Sequence, residues 1–278
     1  MLTPEQVELY RRDGLLVIEG FAGADACDRL RERAEQMVAE FEPGASFSIF
    51  TTREQERASD DYFLESGDKI RFFFEEDAFD RDGRLIKSKE RAINKIGHAL
   101  HDLDPVFDEF SRSPQLARVV TELGVNEPLL IQSMYIFKQP GIGGEVSCHQ
   151  DSAFLYTEPT RLLGLWFALE DATQDNGCLW AIPGGQRAGL KSRFVRAEQG
   201  GTRTEIYDDT PFRAGELIPL EVGKGALILL DGLLPHSSSA NLSSRSRHAY
   251  VLHVIEASSH YPPNNWLRRG PEMPLRGF

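Results

Sequence analysis

Ser147-Cys148-His149-Gln150-Asp151 is the stretch on which the reading of this 278-residue chain turns. It stands between a strand-like run ending at Pro140 and another beginning near Leu162. In an extended strand, residues i and i+2 face the same side. His149 and Asp151 therefore present an imidazole and a carboxylate together, with Gln150 turned away. That is two-thirds of a metal site. Two His and one carboxylate on one face of a metal leave its other positions open, a donor set that suits non-haem Fe(II) oxygenases. His-x-Asp alone is a weak motif in a chain with seven His, so the reading depends on a third ligand and a co-substrate anchor elsewhere.

Both have candidates downstream. From Leu129 the chain breaks into short apolar runs separated by Gly, Pro and Asn turns: 129–138, 161–169, 177–182, 216–222, 225–230 and 247–255. Many evenly spaced strands predict a jelly roll or cupin-like barrel. His236 follows the apolar run 226–230 and the turn Asp231-Gly232, and is the strongest candidate for the third ligand. Arg247 lies eleven residues further on, at the start of an apolar strand, where a guanidinium needs an anion. A bidentate Arg–carboxylate contact makes a dicarboxylate co-substrate its natural partner. A surface Arg beside Arg245 is the plainer alternative.

Upstream the pattern is helical. Thr3-Pro4-Glu5-Gln6 reads as a helix start, with Thr3 as cap, Pro4 in the first turn and Gln6 closing a capping box. Gly14 ends that helix and Leu15-Leu16-Val17-Ile18 forms a short strand. A second helix runs from about Asp25 with Ala26, Leu30, Ala34, Met37, Val38 and Phe41 at helical spacing, and stops at Pro43-Gly44. Residues 45–90 are polar with aromatic islands, read either as a wall over the substrate or as a flap packed on the barrel. Residues 88–124 are predicted helical, with Ile93, Ile96, Leu100 and Leu103 on one face. On that helix His98 and His101 read as solvated or capping side chains, and Lys95 as ambiguous, a lone helix lysine being usually a surface one. A charged, Gly-bearing insertion spans 185–213. The organisation expected is one domain over 1–278, with a mostly helical and loop layer at 1–125, a β core at 126–258 and a tail at 259–278.

Composition narrows the partners. Lys plus Arg total 31 against 43 Asp plus Glu, a net charge of −12. Without a basic run, the chain is poorly suited to nucleic-acid phosphates or an anionic membrane surface. No apolar stretch reaches the ~18 residues of a membrane span. Neither a secretory signal nor a peroxisomal address is expected at the ends. Three scattered cysteines, Cys27, Cys148 and Cys178, suggest a reducing compartment, so a cytoplasmic location is expected.

The set His149-x-Asp151, His236 and Arg247 resembles the phytanoyl-CoA dioxygenase family of Fe(II)/2-oxoglutarate oxygenases. So do longer runs: 13–21 (DGLLVIEGF), 62–75 (YFLESGDKIRFFFE), 93–100 (INKIGHAL), 132–140 (QSMYIFKQP), 143–151 (GGEVSCHQD) and 154–159 (FLYTEP). The likeness covers nearly the whole chain, least over 190–215 and the tail. It implies a mainly β fold, a double-stranded β-helix under an N-terminal helical layer. It implies His149, Asp151 and His236 as ligands of Fe(II), with no catalytic residue beyond them. It implies Arg247 on the far carboxylate of 2-oxoglutarate, and Lys95, Met134, Trp166 and Ser238 around that co-substrate, which moves Lys95 from the surface into the pocket. With O2, the implied reaction hydroxylates a small molecule and releases succinate and CO2. Halogenases of this fold carry a small residue in place of the carboxylate, and Asp151 is present. One departure is Cys148, where the family pattern has Pro; strand parity turns it away from the metal. Two rival readings remain at this level: a cupin-type metalloenzyme that does not use 2-oxoglutarate, and a non-catalytic binding protein that keeps the fold.

Overall fold

The computed structural model describes residues 1–43, 48–50 and 61–278. Its strands are β1 (Leu15–Ile18), β2 (Ser48–Phe50), β3 (Ile70–Glu75), β4 (Ile93–His98), β5 (Pro128–Ile136), β6 (Val146–His149) and β7 (Leu162–Ala168). Then follow β8 (Leu179–Ala181), β9 (Ser192–Arg196), β10 (Thr202–Ile206), β11 (Ile218–Leu220), β12 (Leu227–Asp231), β13 (His236–Ser238) and β14 (Ala249–Glu256). Eight form a large sheet in the order β1-β12-β7-β14-β5-β4-β3-β2, and four form a smaller one, β11-β8-β13-β6. Large-sheet neighbours are antiparallel except β2 and β3. Strands β9 and β10 pair separately, so part of the 185–213 insertion is a β-ribbon.

The two sheets pack face to face as the double-stranded β-helix. Trp166, Ala168, Ile228, Ala249 and Val251 of the large sheet meet Cys178, Leu179, Ala181 and Leu220 of the smaller sheet's side. The other face of the large sheet is also covered. Leu163, Leu165, Phe167, Leu229, Tyr250 and Leu252 pack beneath helical residues Cys27, Leu30, Ala34, Phe107, Leu116 and Val120. Burial on both faces explains why β7 and β14 read as continuous apolar runs rather than alternating ones. Parity still sorts their side chains: Leu163, Leu165 and Phe167 face the helices, while Gly164 and Trp166 face the cavity between the sheets.

The first helix, Pro4–Asp13, has the predicted cap. Thr3 Oγ1 accepts from the Gln6 amide at 3.2 Å, and the Gln6 side chain accepts from the Thr3 amide at 2.8 Å. Gly14 closes it with φ +72°, a left-handed turn for which glycine is suited.

Two expectations change. Residues 93–98, read as part of a helix, are strand β4, paired to β3 and β5. The strand is buried along its whole length, so it lacks the alternation that marks a half-exposed strand, and Ile93, Ile96 and Leu100 imitate helical spacing. His98 and His101, read as solvated or capping, are both buried. His98 Nδ1 lies 2.7 Å from Ser66 Oγ, and His101 Nδ1 lies 2.8 Å from Ser133 Oγ. Of the aromatic segment, 44–47 and 51–60 lie outside the described residues. In the rest, β3 divides its rings: Phe73 lines the cavity, and Phe72 and Phe74 join the core beneath the helices.

Candidate metal centre and co-substrate pocket

Strand β6 ends at His149. Gln150 stays extended (φ −116°, ψ 132°) before a short 3-10 turn opens at Asp151. That single extended residue preserves the parity read from the sequence, so His149 and Asp151 emerge on one side. Gln150, on the other, is buried and ties two loops together. Its Nε2 donates to Gly189 O (2.8 Å) and Leu233 O (2.7 Å), and its Oε1 accepts from the Lys191 amide (2.9 Å).

His236 arrives from a different part of the chain. Strand β13 pairs with β6 so that His236 and His149 are direct Cα partners. Asp151 Oδ1 lies 3.4 Å from His149 Nε2 and 3.6 Å from His236 Nε2. One ligand atom from each of the three residues lies within 4.8 Å of the others. The opposite ring nitrogens are fixed by backbone: His149 Nδ1 to Ser147 O (2.8 Å) and His236 Nδ1 to Leu234 O (3.0 Å). A carbonyl only accepts, so each Nδ1 carries the proton and each Nε2 turns a lone pair toward Asp151.

Burial pushes His236 down to about 4, leaving its imidazole neutral at neutral pH. Burial opposes the charge on Asp151, but His236, His253 and His149 outweigh it and hold the carboxyl well below its usual range. Two imidazoles and one carboxylate are a fit donor set for a divalent transition metal with open positions.

The anchor lies in the same cavity. Arg247 is 2% exposed. Its Nε donates to Gly177 O (2.9 Å), its Nη2 to Ser238 Oγ (3.2 Å), and its Nη1 meets no hydrogen-bond partner among the described residues. The guanidinium carbon stands 5.2 Å from the Trp166 ring centroid. Burial lowers this guanidinium to about 10, so it remains a buried cation at neutral pH with one donor unspent. A carboxylate is the group that fits it.

All eight site residues expected from the sequence line one cavity of about 590 Å³: His149, Asp151, His236, Arg247, Lys95, Met134, Trp166 and Ser238. Lys95 is buried on β4, its Nζ 5.3 Å from the Phe73 centroid. Cys148 is not among the lining residues, and burial pushes its thiol up to about 11. Further lining residues went unread: Gln132, Lys138, Gly164, His98 and His253. Parity was the available signal for most of them. Counting by two from Met134 gives Gln132 and Lys138, from Trp166 gives Gly164, and from Arg247 gives Val251 and His253. Lys138 donates from Nζ to Gly144 O (2.5 Å), and burial lowers it to about 7. Phe63, Phe154, Phe194 and Trp266 are among the other lining residues.

Comparison with known proteins agrees with this geometry. The family model described as phytanoyl-CoA dioxygenase (PhyH) matches residues 10–249. A phytanoyl-CoA dioxygenase of Arabidopsis thaliana is 47% identical over 277 residues, covering 98% of this chain and 95% of that protein. Phytanoyl-CoA dioxygenase domain-containing protein 1 of Bos taurus is 47% identical over 283 residues, covering 99% and 97%. Among solved structures, the epimerase SnoN in complex with Fe3+, alpha ketoglutarate and nogalamycin RO superposes with a TM-score of 0.65. That match is 16% identical, covers 96% of this chain and 89% of the other, and is a likeness of fold.

Proposed function

Since the chain belongs to the phytanoyl-CoA dioxygenase family and is a 2-oxoglutarate-dependent dioxygenase, we propose that it hydroxylates a small, largely apolar molecule. The observation that carries the reading is Arg247, a buried cation with an open donor in the cavity that also holds the His-Asp-His set. A cupin-type enzyme without 2-oxoglutarate leaves that donor unexplained.

In this reading His149, Asp151 and His236 hold Fe(II), Arg247 takes the far carboxylate of 2-oxoglutarate, and Ser238, its hydroxyl donated to Gly177 O, accepts from Arg247 and steadies it. Lys95, Met134 and Trp166 surround the same co-substrate. When bound, Fe(II) supplies the oxidative decarboxylation of 2-oxoglutarate to succinate and CO2, coupled to insertion of the second O2 oxygen into a C–H bond. The chain's own contribution is orientation and exclusion of water. The Ser147 and Leu234 carbonyls keep the two rings turned with Nε2 inward. Trp166 covers the guanidinium face, strengthening its attraction for an anion.

The substrate class follows from the wall. A cavity of about 590 Å³ is of the size that takes a drug-sized ligand. Its exposed lining is mainly apolar, with the rings of Phe63, Phe154, Phe194 and Trp266, and its polar points include Glu76, Asn94, Lys95, His98, Gln132 and Lys138. An apolar body with one or two hydrogen-bonding groups suits that surface.

The test is an anaerobic titration of the metal-free protein with Fe(II) and then 2-oxoglutarate, followed by the visible charge-transfer band. A band in wild type and its loss in Asp151→Ala are expected. No band in wild type overturns the reading.

A further inference from the structure

The two oxygens of Asp151 meet different surroundings. Oδ1 faces the rings of His149 and His236. Oδ2 lies 3.1 Å from Nε2 of His253, a residue of β14 outside the ligand set. It also lies over Gly164 of β7, the direct Cα partner of His253. A Cβ built on Gly164 would stand 3.2 Å from Oδ2, tighter than ordinary contact, so this glycine leaves the carboxylate its room.

The His253 side chain is 4% exposed, and among the described residues neither of its ring nitrogens meets a hydrogen-bond partner in line. A buried imidazole with both nitrogens unspent is costly unless something engages it. Asp151 Oδ2 stands at hydrogen-bonding distance from Nε2 but off the N–H line. An ionised carboxylate only accepts, so the proton sits on Nε2.

We infer that His253 is a positioning residue: its Nε2–H holds Oδ2 against Gly164 and so fixes Oδ1 toward the two imidazoles. The inference rests on the reading of His149, Asp151 and His236 as a metal site. Outer partners of this kind orient ligating carboxylates, and their loss commonly weakens metal binding.

The test exploits the shapes of two amides. Glutamine puts an amide nitrogen near where Nε2 of histidine stands, and asparagine near where Nδ1 stands. Mn(II), which resists air oxidation, is titrated into the metal-free whole chain, with free Mn(II) read by electron paramagnetic resonance. His253→Gln is expected to bind within about threefold of wild type, and His253→Asn to bind roughly 10-fold or more weakly. Thermal melts of the metal-free proteins report whether both fold. If His253→Asn does not, Gly164→Ala crowds Oδ2 from the other side and is expected to weaken Mn(II) by a similar factor with His253 intact. Equal affinity of both His253 variants, whether at the wild-type level or below it, overturns the inference, because packing alone would then account for the residue. Failure of wild type to bind Mn(II) overturns the metal reading and the inference with it.

Discussion

His236 and His149 stand directly opposite each other across the β13–β6 pair, their ring centroids 4.4 Å apart. Backbone register, not a local motif, brings them together, and the His236 Nε2 sits on the same oxygen of Asp151 as His149. His236→Ala should therefore remove metal binding as completely as Asp151→Ala, although it lies far away in sequence. Calorimetric titration with Fe(II) under anaerobic conditions checks this. Retained wild-type affinity in His236→Ala would remove β13 from the site.

Arg247 allows a prediction with two signs. In Arg247→Met, 2-oxoglutarate should lose about 3 kcal/mol of binding, roughly two orders of magnitude in affinity, because its carboxylate would be buried without a cation. Stability of the co-substrate-free protein should not fall. Gly177 O keeps a donor in Ser238 Oγ at 2.9 Å, and a desolvated cation is replaced by an apolar chain of similar reach. Thermal melts with and without 2-oxoglutarate separate the two effects: the midpoint without ligand stays or rises, and the ligand-induced rise is lost.

How far these features could be read in advance differs by residue. His149 and Asp151 were legible because parity is local, and one extended residue at Gln150 preserved it. The strands β7, β12 and β14 were legible as apolar runs. Strand β4 was not, since burial on both faces erased its alternation and left a helix-like spacing of isoleucines. His253 was within reach by counting along β14 from Arg247, but its closeness to Asp151 depends on three-dimensional packing. The burial of His101 was less accessible still, because its neighbours Arg269 and Ser133 come from distant segments.

Acid sensitivity should follow from His248. Burial pushes this imidazole below its ordinary value, against the opposing pull of Glu170, and its Nδ1 meets Tyr135 Oη at 2.8 Å. Unfolded, the ring takes a proton near 6.5. In the range below that, the folded state binds fewer protons than the unfolded state, so stability falls as pH drops from 6.5 toward the lowered folded value. One such group contributes a slope of up to about 1.4 kcal/mol per pH unit. His248→Gln, which keeps a polar partner for Tyr135, should flatten the slope by that amount. Urea unfolding at pH 7 and pH 5 measures it, and an unchanged slope would assign the acid sensitivity to other groups.

Asp102 fastens the chain's last residues to the barrel. Its side chain, 3% exposed, receives Arg112 Nη2 (2.6 Å), Arg269 Nη1 (2.8 Å) and Arg276 Nη2 (2.9 Å), and lies 3.1 Å from His101 Nε2. Burial opposes its charge, and these partners overcome it and hold the carboxyl far below its usual range. Two of the three arginines belong to the tail, which also pairs Arg276 with Leu130 of β5. Asp102→Asn keeps the shape but takes the carboxylate from the buried Arg269, while Arg112 and the half-exposed Arg276 keep Asp108; breaking a buried pair costs about 3 kcal/mol. The loss should fall first on residues 269–278, seen as faster amide hydrogen exchange there than in β7 and β14. Because Arg269 Nη2 also donates to Ile131 O and reaches His101 Nε2 (3.2 and 3.3 Å), the disturbance should extend to β5, the strand that carries Met134 and Gln132 into the cavity. A tail that exchanges no faster in the variant would show that its apolar contacts, not Asp102, hold it.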